Sequence, residues 1–266
     1  MTLVRWSRAF GGIIVREGLR FVRQRGRLFS ALVRPLVWLV IFAAGFRAIA
    51  GVAAVPPYQH AVSYEEYVVP GLLAMILLFN GMQGALSMVY DREMGSMKVL
   101  LTSPLPRSFL LIARLSAGSL VGLAQALAFL AIAWAWGVRP PLPGLVAVMP
   151  ALLLGGLMLG AIGLLLSCLI RQLENFAAVM NFVVFPMFFA SSALYPLSRL
   201  SASAPLLGIA ATLNPFTQAV ELIRFALYAQ LNLAAVGAVI AALLAFLAAA
   251  LWFYRPGRGR RFGGGG

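Results

Sequence analysis

Residues able to do chemistry are few in this chain, and they form no catalytic set. The only histidine, His60, stands five residues before Glu65 and Glu66 in "VPPYQHAVSYEEYVV". One imidazole beside two acids suits a metal or acid/base site, but in a short loop the same residues are ordinary solvated surface. A nucleophile–base pair would have to recruit that isolated histidine. The one cysteine, Cys168, lies inside an apolar run, can form no intramolecular disulfide, and has no Cys/His neighbours at zinc spacing. The one lysine, Lys98, is followed by Val99, so the phosphate-cradling G-x-x-x-x-G-K-[ST] is missing. A proton-coupled carrier would want a carboxylate mid-span, and none falls there; Arg34, Arg47 and Arg114 lie near enough to span ends to snorkel. The chain alone is therefore expected to be no enzyme, with no metal and no cofactor. If it moves a cargo, another chain supplies the energy.

Charge is concentrated instead in "YDREMGSMKVLLTSPLPR", which places Asp91, Arg92, Glu93, Lys98 and Arg107 between two long apolar runs. The stretch reads as a helical piece from Tyr90 to Leu101, ended where Pro104 and Pro106 let the next helix start at a new angle. Asp91 and Glu93 near its start, and Lys98 near its end, suit the helix dipole. Gly95 and Ser96 leave a slim face. A short, rigid, charged element of this kind suits docking on a soluble partner.

The elements that must position it follow from composition. Of 266 residues, 62% are hydrophobic and only 11% charged, with mean hydropathy +0.94. A soluble domain carries about a quarter charged residues. In lipid, backbone polar groups must be satisfied internally, which leaves helices or closed barrels. Barrel strands would alternate over about ten residues. Here the runs are continuous and about twenty long, the length that crosses a hydrocarbon core of about 30 Å. The expected fold is an all-α polytopic membrane protein with spans at about 35–51, 68–89, 109–136, 146–169, 176–195 and 233–253. With a cytoplasmic N-terminus, 17 of the 21 basic residues fall on the inner side, and only Arg47, Arg139, Arg199 and Arg224 lie outside. Both termini are then cytoplasmic. The net charge of +14 fits attraction to anionic inner-leaflet lipid. Nucleic acid is not an expected partner, because the basic residues flank spans and build no aromatic-and-basic platform.

Two further regions are irregular. In residues 1–30, Arg5, Arg8, Arg16 and Arg20 recur at helical steps on one face, while Leu3, Trp6, Phe10, Ile13 and Ile14 fall largely opposite. This is the pattern of a cytoplasmic amphipathic helix lying in the interface; a basic flank for the first span is the alternative. Residues 31–255 then form one transmembrane domain, and 256–266 a basic, glycine-rich cytoplasmic tail. Between spans five and six, Pro196, Pro205 and Pro215 break the chain into short outer re-entrant helices, with a surface loop as the alternative. Asn214-Pro215 reads as a helix start, with Asn as N-cap and Pro at the first helical position. Glu221 and Arg224, three apart, are placed to pair on that helix's polar face.

On these residues the chain resembles the membrane-spanning permease subunits of the ABC type-two transporter family. In "DREMGSMKVLLTSPLPRSFLLIARL", Glu93, Gly95, Ser96, Leu100, Leu101, Ser103, Pro104 and Arg107 fall on the family pattern. "PMFFASSALYPLSRL" followed by "LNPFTQAVELIRFALY" is similar to the family's fifth span, outer short helices and asparagine-proline signature. One departure is Ala190, where the family often shows a small Ser-Gly pair. The resemblance covers nearly the whole chain.

It implies an exporter subunit in the bacterial inner membrane, paired with a second permease copy as a homodimer or heterodimer. Each subunit would sit on a separately encoded soluble ATP-binding-cassette ATPase that binds ATP and Mg. The loop from Asp91 to Arg107 would be the coupling helix. Spans two and five would line the path, through Phe79, Asn80 and Gln83 on one and Asn181, Phe182, Phe185 and Phe188 on the other. Such a lining suits an amphiphilic or hydrophobic cargo, a drug or lipid-linked glycan for example; helix–helix packing is the alternative use of its Asn and Gln. A non-transporting scaffold that recruits a soluble ATPase through the same loop is the competing reading, and an ion-coupled carrier the third.

Overall fold

The computed structural model describes residues 3–23, 25–46, 56–58, 62–95, 106–170 and 172–254, without the side chains of 3–5, 25–31, 42–44, 46 and 107. All the elements in these residues are helices: α1 Leu3–Arg23, α2 Arg25–Phe46, α3 Tyr64–Glu93, α4 Arg107–Trp136, α5 Leu142–Leu169, α6 Leu173–Phe189, α7 Leu197–Ser203, α8 Pro205–Leu213, α9 Pro215–Leu227 and α10 Leu233–Phe253.

Helix α5 is the hub, packed against α3, α4, α9 and α10. Its glycines explain why. A Cβ on Gly81 of α3 would come 2.7 Å from the Gly160 Cα of α5, and one on Gly144 would come 1.7 Å from the Leu227 carbonyl oxygen. Small residues let backbones approach where lipid gives no hydrophobic drive between helices. Around these contacts lies one core that includes Leu72, Leu73, Leu77, Met82, Leu152, Leu159 and Phe216.

Four helices are long and apolar enough to cross a membrane: α3, from Ser108 in α4, α5 and α10. They coincide with the expected spans at 68–89, 109–136, 146–169 and 233–253. Of the other two expected spans, 35–51 overlaps the apolar stretch Leu32–Ile41 of α2 in part and 176–195 overlaps α6, and both of these apolar segments are shorter than a span. The pair α8 and α9, bent by 72°, also passes the test when taken together. The chain is thus a multi-pass helical membrane protein of four to five candidate spans among the described residues.

One local expectation is corrected. No new helix begins at Tyr90; α3 runs unbroken through Asp91, Arg92 and Glu93. Those acids therefore sit at the end of a helix, not at its start. Gly95, at φ +74°, stops the chain in the left-handed region that favours glycine. Ser96, Lys98, Leu101 and Pro104 lie outside the described residues, as do His60, Arg47 and the tail.

Candidate functional site

The charges that open the loop are engaged within the chain. Asp91 Oδ2 accepts from Arg114 Nη2 of α4 at 2.5 Å. Arg114 also donates to Ser87 Oγ at 3.4 Å, and Arg20 of α1 donates to the same oxygen at 3.3 Å. Glu17 pairs with Arg16 at 3.0 Å and lies 3.9 Å from Arg20. Trp6 meets Phe109 edge-on at 4.7 Å between ring centres, and α1 is fixed along the start of α4. Glu93 Oε2 accepts the Leu173 N–H, the first of α6, at 3.2 Å. A carboxylate at a helix N-terminus is favoured by the dipole and fills an otherwise empty donor. The last turn of α3 thus touches both α4 and α6 just before the loop departs. Arg8 is exposed on α1, Arg92 is half-buried, and Arg107 begins α4. The side chain of Arg5 lies outside the described residues.

At the opposite end of the bundle a second cluster assembles. Asn214 Oδ1 accepts from Phe216 N–H at 2.9 Å, the expected N-cap. Its Nδ2 does more: it donates to the Met187 and Ala190 carbonyls, both at 2.7 Å. These belong to the end of α6, where carbonyls lack intrahelical partners. Arg224 is buried, not on a polar surface. It pairs with Glu221, donates to the Ser192 carbonyl at 2.7 Å, and stacks over the Tyr67 ring at 4.3 Å. Tyr67 donates to the same Ser192 carbonyl at 3.0 Å, and Tyr64 to that of Leu194 at 2.9 Å. Burial pushes the Tyr58 phenol well above its usual range, although the Arg224 charge opposes it. Burial also pushes Tyr228, with Glu66 adding to the effect, up to about 12. Sequence reasoning pairs Glu221 with Arg224 correctly but misses Tyr58, Tyr64, Tyr67 and Ser192. The tyrosine-rich loop is the available signal, and on its own it indicates only a contact with headgroups.

The path candidates separate into two groups. Asn80 Nδ2 donates to the Gly118 carbonyl of α4 at 2.7 Å, and Phe79 is buried beneath Arg34 of α2. Gln83 lines a small cavity with Arg34 and Gln125. This set faces α2 and α4. On α6, Asn181 is exposed, Phe182 is 79% exposed, and Phe185 stacks with Phe189 on the outer face. Phe188 turns inward onto Phe216 and Trp38. Phe188 joins the core that also holds Phe79, whereas Asn181, Phe182 and Phe185 are exposed. A further cavity of about 70 Å³ lies between α1, α3, α4 and α5, lined by Glu17, Gly81, Arg114, Gly118, Gly156 and Gly160 among others.

Comparison with known proteins bears on this arrangement. A family profile described as "ABC-2 type transporter" matches residues 8–228. The chain is 26% identical over 218 residues to a protein of Cyanophora paradoxa named "Putative transport permease ycf38", a match spanning 80% of this chain and 72% of that one. A protein of the same name from Porphyra purpurea is 27% identical over 216 residues, again 80% and 72% of the two chains. One from Pyropia yezoensis is 26% identical over 223 residues, 83% and 74%.

Proposed function

Taking as premise that the chain belongs to the ABC-2 type transporter family, as a membrane-spanning transport permease, we propose that it is the membrane half of an ATP-driven exporter. Family membership implies partnership with an ATPase subunit in general terms. The finer reading is that ATP and Mg are bound only by that separate subunit, and that the loop from Asp91 to Arg107 docks on it. Two permease copies, six spans each, sit in the bacterial inner membrane with both termini in the cytoplasm, and the cargo is amphiphilic or hydrophobic. The basic face of α1 meets anionic lipid.

The observation that carries this reading is the placement of the last turn of α3. Its carboxylates, the first of the loop, hold α4 through Arg114 and α6 through the Leu173 N–H. A push on the loop therefore has two direct routes into the bundle. Closure of the ATPase would supply the free energy that favours one orientation of the bundle over another.

The test is reconstitution of the chain with a co-purified soluble ATPase in vesicles. Expected is no ATP hydrolysis by the chain alone, and ATP-dependent cargo movement by the pair. Transport without any ATPase, or a pair that hydrolyses ATP yet moves nothing across a broad amphiphile screen, would refute the exporter reading. The second outcome would leave the scaffold.

A further inference from the structure

Arg34 of α2 lies over a buried aromatic of α3, on the outside of the bundle. The Arg34 guanidinium lies 4.1 Å from the centre of the Phe79 ring. Phe79 is eight residues from Ser87, where Arg20 of α1 touches α3, a rise of ~12 Å. Arg34 itself is nine residues into α2, a rise of ~14 Å. With α1 in the interface, the contact with Phe79 puts the charge inside a core about 30 Å thick, although Arg34 is only two residues into the apolar stretch Leu32–Ile41 of α2. All seven acidic side chains of the chain are among the described residues, and none pairs with Arg34. An arginine at this depth is costly against lipid and marks a surface that faces protein or water.

Beside it is an acceptor with nothing to accept. Gln125 of α4 is 4% exposed, and its Oε1 has no hydrogen-bond partner. Leaving such an acceptor buried and unmet is unfavourable. Gln125 and Arg34 line one cavity, with Met75, Ile76, Phe79 and Asn80. Its volume of about 20 Å³ admits a single oxygen-sized group. Arg34 is exposed on the outside of the chain, so the rest of a larger molecule has room there.

We propose that the Arg34–Gln125 cavity recognises the head group of an acidic amphiphile whose anionic oxygen stands next to a hydroxyl, as in a phosphate monoester. The inference rests on the exporter reading and names its class of cargo. One phosphate oxygen accepts from the guanidinium, which suits oxyanions better than an ammonium does. The P–OH donates to Gln125 Oε1, and the alkyl chain follows Met75, Ile76 and Phe79. A carboxylate would satisfy Arg34 but bring no donor for Gln125. A quaternary ammonium would satisfy neither. A cargo molecule and a membrane lipid such as phosphatidic acid share this chemistry.

The experiment is native mass spectrometry of the full chain with dodecyl phosphate, dodecanoate, dodecyltrimethylammonium and phosphatidic acid. Expected is one dodecyl phosphate bound, about 10- to 100-fold weaker in Arg34→Gln, the loss of one charged hydrogen-bond contact. Arg34→Lys should retain part of the affinity, which separates loss of charge from misfolding. Gln125→Leu removes the unmet acceptor at similar size and should fold normally. It should erase the preference for phosphate over dodecanoate while keeping the preference over the ammonium. Phosphatidic acid binding with the same Arg34 dependence supports the site with lipid as its occupant; selective binding of the single-chain phosphate supports it with cargo. Equal binding of dodecyl phosphate to the native chain and Arg34→Gln, or no discrimination among the three single-chain amphiphiles, overturns the proposal. Binding is read without the ATPase, so failure of ATP-driven transport would refute the exporter reading and leave this result standing.

Discussion

Asn214 provides the sharpest test of how the bundle is held, because its two side-chain atoms have opposite jobs. Oδ1 caps α9 through the Phe216 N–H, and Nδ2 closes the end of α6 through the Met187 and Ala190 carbonyls. Replacing Asn214 by Ala removes all three bonds. An N-cap contributes about 1 kcal/mol, and each donated bond about 1 kcal/mol net. The expected cost is thus ~3 kcal/mol, on the order of a hundredfold in the folding equilibrium. Asn214→Asp is the discriminating variant. Asp caps helices as well as Asn does, yet it would aim a negative oxygen at two carbonyls in place of a donor. It should therefore cost at least as much as Ala, ~3 kcal/mol or more. Unfolding in mixed micelles by added SDS, followed by tryptophan fluorescence, would read both values. If Asn214→Asp kept native stability to within about 0.5 kcal/mol, the residue would be a cap only, and the link to α6 would be wrong.

Three further outcomes are expected. Gly144→Ala should destabilise by about 2–3 kcal/mol, because the new Cβ would fall 1.7 Å from the Leu227 carbonyl oxygen. Gly237→Ala in α10, where a Cβ meets nothing within 4 Å, should instead stabilise by about 0.5–1 kcal/mol, and equal effects in the two would discount the close approach of α5 to α9. Glu93→Ala should leave insertion and folding nearly unchanged but lower the cargo moved per ATP hydrolysed; Gly95→Trp should leave insertion intact and lower the same ratio, with an added local strain from the φ of +74°, and unchanged coupling in both would remove the role given to the loop. Tyr228 ionises near 10 when unfolded and at about 12 in the fold, so its burial leaves stability unaffected below pH ~10 and lowers it as pH rises from there toward 12. Thermal melts at pH 9 and 11 should show a smaller alkaline loss in Tyr228→Phe than in the native chain.

The long apolar helices were legible because each carries its own signal, a continuous run of spanning length. Membrane class followed from the same signal. The end of α3 was misread for a different reason. A charged stretch after an apolar run resembles a new element, whereas Asp91 and Glu93 are kept in the old helix by partners 23 and 80 residues away, Arg114 and Leu173. Long-range partners leave no local trace. Arg224 shows the same limit: its spacing from Glu221 was readable, but its burial depends on Tyr67 and Ser192, which no periodicity brings together. Asn214 was half legible, as a cap in sequence and as a clasp on α6 only in three dimensions.

Helix α6 is gripped at both ends, and the two grips differ in strength. At its C-terminal end, two carbonyls receive bonds at 2.7 Å from one half-buried amide, beside a buried arginine that holds the following turn at Ser192. At its N-terminal end, one exposed carboxylate accepts one N–H at 3.2 Å. A contact of that kind contributes roughly 0.5–1 kcal/mol, a factor of two to five in population. It is too weak to decide whether the chain folds, and large enough to bias two arrangements of nearly equal free energy. The hydrogen bonds are thus stronger at the C-terminal end, while the N-terminal turn is also held by Phe176, buried against Ala85 and Val89 of α3. On the proposed reading, the element the ATPase moves is joined to α6 through both Glu93 and Phe176, so a displacement of the end of α3 is passed directly to α6.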